Sequence, residues 1–359
     1  MGARLVSASC SLVITSLRLL LRLSAYSLPL PRFHSVSPAV LTRTRAMAAE
    51  KPVLKILMLH GYTQSGPLFR AKTRALEKHL QKSFPLHSVI LSYPSGPIRL
   101  DPADIPNFRP SSTESEERSS QELYAWWRRV TGIDPPEYLQ FDCGLEVVAN
   151  VLRDEGPFDG VIGFSQGAAF AAMLAGLLED GRQEAFEYFS KPENNSSPLT
   201  RASGSFAQPI PTQLPQPVIG TVSGVSFPTP FLGLTQPPLK FAICYSGFRA
   251  PGARYRAFYE RPAIRTPVLH VLGSLDAIVD ESRSRFLIDS CAGDPEKEGK
   301  VIWHPGGHFL PCQRPYLDGA AKFIKECLEL GGGLDKSEIR RGGGKSEIDS
   351  PVEDMAMPF

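Results

Sequence analysis

Residues 158–167 are FDGVIGFSQG, and they contain the single G-x-S-x-G motif of the sequence, Gly163 to Gly167. The apolar run before Ser165 predicts a buried strand, and the alanine-rich residues 167–178 predict a helix. A sharp turn between such a strand and helix lifts a serine hydroxyl clear of a sheet, and bulk two residues before or after it would collide with the turn. The alternative is a tight turn whose serine only caps the helix. The strand and helix on either side favour an exposed, reactive serine.

Apolar runs alternate with segments of helical spacing along most of the chain. The predicted strands are residues 53–59, 87–92, 158–164, 239–246, 268–273 and 300–304. The predicted helices are residues 69–82, 121–130, 141–155, 167–178 and 316–330. This alternation is typical of the α/β class, with a mostly parallel sheet and helices on both faces.

A serine nucleophile needs a base, and that base needs an acid to orient it. Of the seven histidines, His308 is the predicted base because it follows a short strand on a glycine-rich loop near the C-terminus. His304 competes with it and is interpreted as a strand-end residue that supports the loop. Asp276 is the predicted acid because it lies three residues beyond Gly273, at the strand edge where catalytic groups gather. Asp280 is its rival, interpreted as a helix cap or surface charge.

An oxyanion that forms beside Ser165 needs backbone N–H donors. The residue after the nucleophile, Gln166, is predicted to supply one, and Tyr62 is predicted to supply the other. Tyr62 belongs to the loop of residues 60–64, which follows the first strand and carries Gly61. The alternative for this loop is an ordinary strand-to-helix turn.

Length, charge and cysteine spacing limit the classes of protein to which the chain can belong. The chain has 359 residues, 42% of them hydrophobic, which is enough for one large core or two modest ones. Its formal net charge of +2 lacks the strong basic excess of a general nucleic-acid binder. None of the six cysteines has C-x-x-C spacing, so we interpret them as reduced thiols rather than disulfides or a zinc site. We expect no cofactor and no metal.

The first 46 residues differ from the rest because they contain no Asp or Glu and carry spaced arginines among serines and leucines. This composition is typical of a mitochondrial presequence. The alternative is untranslated sequence ahead of a start at Met47. The arginines interrupt the apolar run, so we expect neither a secretory signal nor a stable membrane span.

Two further segments stand apart from the predicted domain of residues 47–330. Residues 190–238 are rich in proline, serine and glycine and are interpreted as a disordered insertion near the catalytic edge of the sheet. Four apolar side chains of this segment are candidates to contact an acyl chain: Phe206, Phe227, Phe231 and Leu232. The alternative is a disordered spacer with no role. Residues 331–359 contain two glycine triplets and are predicted to be a disordered tail.

Taken together, five motifs resemble the FSH family of serine hydrolases. They are LHGYTQS (residues 59–65), GPFDGVIGFSQGA (156–168), SGF (246–248), HVLGSLD (270–276) and GGHF (306–309). The resemblance covers about residues 52–330 and implies an α/β-hydrolase fold with a triad of Ser165, Asp276 and His308. It also implies a location in the cytoplasm, with the nucleus as an option, whereas residues 1–46 point to mitochondria if they are translated as a presequence.

The resemblance implies a small-molecule acyl ester or thioester as the reaction partner, and no nucleic acid is expected. Acyl transfer, as in thioesterases or acyltransferases of secondary metabolism, is an alternative that the sequence does not separate from hydrolysis. A low-turnover binding protein on a hydrolase scaffold is another, because a fold does not fix a function. The acyl chain, the leaving group and the oligomeric state stay open.

Overall fold

A computed structural model describes residues 51–101, 123–130, 136–195 and 223–331. The chain divides into two units, Met1–Ala49 and Glu50–Phe359, and all described residues belong to the second. The predicted presequence, residues 196–222 of the predicted insertion and the tail from residue 332 onward lie outside the described residues.

The described part of the chain contains ten strands. They are β1 (Val53–Leu59), β2 (Ser88–Ser92), β3 (Ile98–Arg99), β4 (Tyr124–Ala125), β5 (Arg128–Arg129), β6 (Tyr138–Leu139), β7 (Gly160–Phe164), β8 (Phe241–Tyr245), β9 (Val268–Gly273) and β10 (Val301–His304). Six of them form a sheet in the order β10-β9-β8-β7-β1-β2, and every neighbouring pair is parallel. The other four make two antiparallel pairs, β3 with β4 and β5 with β6.

Helices cover both faces of this sheet. They are α1 (Gly66–Lys72), α2 (Arg74–Ser83), α3 (Phe141–Glu155), α4 (Gln166–Leu177), α5 (Arg182–Ser190), α6 (Pro192–Asn195), α7 (Glu281–Ile288) and α8 (Arg314–Gly331). Side chains of α1, α2 and α8 pack into one apolar cluster, and those of α3, α4 and α5 pack into another. The predicted α/β-hydrolase architecture is confirmed. Among the described helices, none is both long and apolar enough to cross a bilayer.

Strand β7 lies in the middle of the sheet, between β1 and β8, and all five of its residues are buried. A parallel strand that is covered on both faces has no polar side to alternate with, which explains its unbroken apolar run. All twelve residues of α4 are buried as well. The carboxyl ends of parallel strands share one edge, so the loops after β1, β7, β9 and β10 meet there.

The segment around Trp126 and Trp127 is extended, so the prediction of a helix over residues 121–130 was wrong for the described residues 123–130. Both tryptophans are buried, and they face different neighbours. Trp126 stacks on His60, whereas Trp127 stacks on Tyr138. Consecutive side chains of an extended chain point in different directions, so the two tryptophans stack on different rings although both also contact Phe170.

The two ends of the predicted insertion are packed rather than loose. Residues 192–195 form α6, and residues 229–231 form a 3-10 helix. Phe231 is only 6% exposed in the main apolar cluster, and Phe227 packs edge-on against Phe186 with ring centroids 5.3 Å apart. Phe231 is therefore part of the core and Phe227 is half-buried against it, whereas Leu232 is exposed and Phe206 lies outside the described residues.

Candidate active site

Ser165 lies between the end of β7 and the start of α4 in a strained backbone conformation, with φ 53° and ψ −115°. Its N–H donates to the carbonyl of Tyr245 at 2.9 Å, which fixes the turn to the neighbouring strand. A Cβ on Gly163 would lie 2.2 Å from the Gly167 carbonyl oxygen, and a Cβ on Gly167 would lie 2.1 Å from that of Leu59. Both glycines are therefore required for the close approach of the turn to the sheet, as predicted.

His308 contacts Ser165 and Asp276 through its two ring nitrogens. Its Nε2 lies 2.9 Å from Ser165 Oγ, and its Nδ1 lies 2.8 Å from Asp276 Oδ2. The ring also packs against Phe164, with centroids 4.9 Å apart. The structure thus brings together three residues separated by 143 and 32 positions in the sequence. Their catalytic roles stay a prediction at this point.

Asp276 is held by the backbone of its own loop as well as by the histidine. Its Oδ1 accepts hydrogen bonds from the N–H groups of Ile278 and Val279, both at 2.9 Å. Burial alone would raise the pKa of Asp276, but the hydrogen bonds from Val279, His308 and Ile278 outweigh it, so the pKa lies below its usual value. The carboxylate is therefore charged and oriented toward the imidazole at neutral pH.

Asp280, the rival acid, has another partner. It is the N-cap of α7, where its Oδ1 accepts from Ser282 N at 2.8 Å. The hydrogen bonds from Ser282 lower the pKa of Asp280. This is the capping position that the sequence suggested for it.

The competing histidine, His304, and two other buried histidines make their contacts away from Ser165. His304 is buried at the end of β10, and its Nδ1 accepts a hydrogen bond from Gly306 N at 3.3 Å, so it supports the loop that carries His308. His60 accepts from Gly96 N through Nε2 at 2.8 Å, and burial lowers its pKa to about 4. Burial within β9 lowers the pKa of His270 to about 3.

Gln166 is the first residue of α4, a position whose N–H has no partner within its own helix. Its side chain also makes two hydrogen bonds that the sequence did not predict. Its Oε1 accepts from Trp126 N and its Nε2 donates to Trp127 O, both at 2.9 Å. The amide thereby fastens the extended segment to the nucleophile turn.

The loop that carries Tyr62 is shaped by hydrogen bonds on either side of it. Gly61 N donates to Gln64 Oε1 at 3.3 Å, and Thr63 N donates to Tyr124 O at 3.1 Å. The Tyr62 side chain is half-buried against the small apolar cluster of Ile98, Leu100 and Ala125. The loop follows β1, which is paired directly with β7, and this places it beside Ser165. The donor role of the Tyr62 N–H stays a prediction.

Apolar side chains are exposed around the three hydrogen-bonded residues. Leu275 and Ile278 flank Asp276 and are 71% and 67% exposed, and Phe309, next to His308, is 43% exposed. Leu275 N donates to Gly306 O at 3.0 Å, which ties the loop after β9 to the loop after β10. In the described residues, no cluster of three or more His, Cys, Asp or Glu side chains is arranged to hold a metal ion.

The sequence profile of the family described as "Serine hydrolase (FSH1)" matches residues 49–320. A Schizosaccharomyces pombe protein named dihydrofolate reductase is 31% identical over 281 residues, which are 76% of this chain, and the match spans only 47% of that protein. Esterase OVCA2 of Danio rerio is 29% identical over 76% of this chain and 96% of its own length. Among solved structures, Zea mays acyl-protein thioesterase 2 is 17% identical, with a TM-score of 0.43 over 78% of this chain and 96% of that one.

Proposed function

Because the chain belongs to the serine hydrolase (FSH1) family, we propose that it hydrolyses a carboxylic ester or thioester through an acyl-enzyme on Ser165. The observation that carries this proposal is the hydrogen-bonded series from Ser165 through His308 to Asp276. A nucleophile within hydrogen-bond reach of a base, with the base oriented by a third group, is the arrangement that acyl transfer to a serine requires. The name of the zebrafish relative, an esterase, supports the same substrate class.

In the first half of the proposed reaction, His308 Nε2 takes the proton of Ser165 Oγ while the oxygen attacks the acyl carbonyl carbon. The Asp276 carboxylate stabilises the imidazolium that forms. The N–H groups of Gln166 and Tyr62 are the proposed donors to the oxyanion. When the tetrahedral intermediate collapses, the bond to the leaving group breaks, and the imidazolium protonates the departing alcohol or thiol.

In the second half, His308 takes a proton from water, and the hydroxide oxygen attacks the acyl-enzyme carbonyl. Collapse of this intermediate releases the carboxylic acid and returns the proton to Ser165 Oγ. If an alcohol or amine takes the place of water, the same steps give acyl transfer. The exposed Leu275, Ile278 and Phe309 provide apolar surface beside the reacting atoms for an acyl chain.

The experiment that tests this function compares the wild type with Ser165→Ala, using a fluorophosphonate probe and a set of acyl esters and thioesters. We expect the wild type to be labelled and to hydrolyse at least one substrate. We expect the variant to lose labelling and, because triad loss commonly costs about a millionfold in turnover, nearly all activity. Circular dichroism checks that the variant is folded. A folded variant with more than about a tenth of wild-type activity (~1.4 kcal/mol of barrier) would refute the assignment, and an unlabelled, inactive wild type would favour the binding-protein alternative.

A further inference from the structure

A short segment of the chain, residues 124–127, which we name the strap, binds both segments that are proposed to supply the oxyanion donors. On one side it contacts the loop of residues 60–64, which carries Tyr62. On the other side it contacts Gln166, the residue after the nucleophile. The two donors belong to separate elements of the fold, so their separation depends on what joins these elements. The strap is hydrogen-bonded to both.

The indole of Trp126 fixes the start of the loop. Its Nε1 donates to His60 O at 2.9 Å, and its ring stacks on the His60 imidazole with centroids 4.8 Å apart. The imidazole is itself held in place, because its Nε2 accepts from Gly96 N at 2.8 Å and its Nδ1 donates to Gly61 O at 2.8 Å. Both side chains are fully buried, where a polar group that loses its partner is costly.

The other end of the loop is paired with the backbone of the strap. Thr63 N donates to Tyr124 O at 3.1 Å, and Tyr124 N donates to Gln64 O at 3.0 Å. Thr63 has a positive φ of 62°, which a β-branched residue rarely adopts. Such a conformation persists only where the surrounding contacts impose it. These bonds therefore hold the loop, with Tyr62 in its middle, in a shape that its own sequence does not favour.

The Gln166 amide joins the strap to the start of α4. Its Oε1 accepts from Trp126 N and its Nε2 donates to Trp127 O, both at 2.9 Å. An amide that donates to one backbone group and accepts from another has a single orientation. The side chain and the N–H that is proposed to face the oxyanion belong to the same residue, so the bonds to the side chain restrict the direction of that N–H.

The loop and the nucleophile turn are also in direct contact with each other. A Cβ on Gly61 would lie 2.9 Å from Phe164 Cδ1, and a Cβ on Gly167 would lie 2.4 Å from His60 O. The His60 oxygen is the one that accepts from Trp126 Nε1. The bonds of the strap therefore lie against the nucleophile turn.

We propose that Trp126 and the side chain of Gln166 are positioning residues for the oxyanion hole, and that through the strap they set the distance between Tyr62 N–H and Gln166 N–H. The inference rests on the proposed hydrolase function, and neither side chain needs to contact the substrate. Donors that are fixed before the reaction stabilise an oxyanion without a cost of reorganisation. A loosened strap should therefore slow the chemical step and leave the binding of the substrate almost unchanged.

The test removes bonds of the strap and compares kcat and KM on the ester or thioester that the wild type hydrolyses. Trp126→Phe keeps a ring against His60 but loses the hydrogen bond to its carbonyl. Gln166→Met keeps the length of the side chain and loses both of its bonds. Loss or misplacement of an oxyanion donor costs about a hundredfold in turnover. We expect kcat to fall about tenfold in Trp126→Phe and about a hundredfold in Gln166→Met, with KM within about threefold of the wild-type value.

Tyr255→Phe is the matched control. Tyr255 belongs to the same apolar cluster as Trp126, and its hydroxyl accepts from Tyr138 N at 2.8 Å. This variant also keeps a ring and loses one buried bond to the backbone. Because the lost bonds are alike, we expect Tyr255→Phe to lower the melting temperature about as much as Trp126→Phe does, and to keep the wild-type kcat.

A second readout is the inhibition constant of a trifluoromethyl ketone that carries the acyl chain of the substrate. Ser165 Oγ adds to its carbonyl carbon while the hydroxyl proton passes to His308, and the former carbonyl oxygen becomes the oxyanion. Because this adduct resembles the transition state, its affinity should weaken in Trp126→Phe by the same factor as kcat/KM. A change that only lowers the stability of the fold would not produce this agreement.

A folded Trp126→Phe with the wild-type kcat, an equal fall of kcat in the control, or a rise in KM alone would overturn the inference. So would a fall of kcat with unchanged affinity for the ketone. If Trp126→Phe does not fold, the same measurements on Gln166→Met decide. An inactive wild type that the fluorophosphonate probe does not label would refute the proposed function and the inference with it, whereas an active wild type with unaffected variants would refute the inference alone.

Discussion

Some features of the site depend on single residues, and the turn from Gly163 to Gly167 is an example. The collision expected for bulky residues beside the serine is found as contacts of little more than 2 Å between a hypothetical Cβ and backbone oxygen. That prediction was possible because it depends on the local geometry of one turn. The Gln166 side-chain bridge to Trp126 and Trp127 could not be predicted, since the partners are about 40 positions away and no local pattern marks them.

At the scale of single residues, we predict that Asp276, and not Asp280, is the acid that orients His308. Asn in place of Asp276 can still bond His308, but it favours the wrong tautomer and cannot stabilise an imidazolium. We expect Asp276→Asn to lower kcat/KM on the order of a thousandfold or more. Asp280→Asn should change it far less, because asparagine caps a helix about as well as aspartate.

Steady-state kinetics on the substrate found for the wild type measures both variants, and thermal melts show that each is folded. The opposite ranking in two folded variants would move the acid to Asp280.

At the scale of elements, the strands of the sheet were predictable and the segments around them were less so. Strands β1, β7, β8 and β9 are mostly buried in the sheet, so each is a run of apolar residues that can be recognised without its neighbours. The extended residues 123–130 are stabilised by distant partners, among them His60 and Gln166. The local sequence predicts a helix, but these tertiary contacts override that preference.

The turn from α4 to α5 depends on a buried ion pair that joins several elements. Arg182 Nη2 donates to Glu179 Oε2 at 2.6 Å, and its other nitrogens donate to backbone carbonyls, including those of Gly176 and Pro262. Glu179 Oε1 in turn accepts from the N–H groups of Arg265 and Thr266, just before β9. The pair thereby connects the helix that follows the nucleophile to the strand that precedes the acid.

Arg182→Met should destabilise the fold by about 3 kcal/mol, because it leaves the buried Glu179 charge with only the exposed Arg265, whose Nε is 3.7 Å from Glu179 Oε2. Urea denaturation measures the free energy of unfolding. The double variant Glu179→Gln/Arg182→Met should recover part of the loss, since no buried charge remains. The exposed Arg285→Gln serves as the comparison, with a change of about 0.5 kcal/mol or less. A loss below about 1 kcal/mol in Arg182→Met would show that this pair does not hold the turn.

At the scale of the whole molecule, the sequence identified the family and the α/β-hydrolase fold, and both are confirmed. The motifs lie on loops that meet at one edge of the sheet. Several distant parts of the chain therefore indicate the same family. The boundaries of the insertion were harder to place, because proline-rich composition does not show which apolar side chains pack. Phe227 and Phe231 pack against the core although their surroundings are low in regular structure.

Burial lowers the pKa of three histidines, His60, His270 and His304, and this should make the stability of the molecule depend on pH. The folded-state pKa values of His60 and His270, about 4 and about 3, lie below the ordinary value of 6.5. Between these values the unfolded chain binds more protons, so stability is lost as the pH falls below about 6.5. His60 and His270 should each remove roughly 2 kcal/mol between pH 7 and pH 5.

Urea denaturation of the wild type and of His270→Gln at both pH values checks this expectation. The difference between the two pH values, rather than the absolute stability, should shrink by roughly 2 kcal/mol in the variant. An unchanged difference in His270→Gln would show that His270 does not cause the acid sensitivity.

The last prediction concerns residues 196–222, which join two described segments that dock at the same place. On one side, Asn194 Nδ2 donates to Tyr188 O at 2.9 Å, and on the other, Gly224 N donates to Phe189 O at 3.0 Å. The residues on either side of 196–222 therefore lie at the end of α5, so a flexible linker of about six Gly and Ser residues can join them. Replacing residues 196–222 by this linker should change the melting temperature little.

A wider deletion of residues 195–235 supplies the contrast, because it removes Phe227 and the buried Phe231, and loss of one buried phenylalanine alone commonly costs about 3 kcal/mol or more. Thermal melts of both variants, together with kcat/KM across esters of graded acyl length, separate the roles of the segment. A stable short deletion with an altered acyl-length profile would assign substrate selection to residues 196–222, and an unaltered profile would make them a spacer. If the short deletion is as unstable as the wide one, the segment contributes to the fold, and the boundary inferred from the docked ends is wrong.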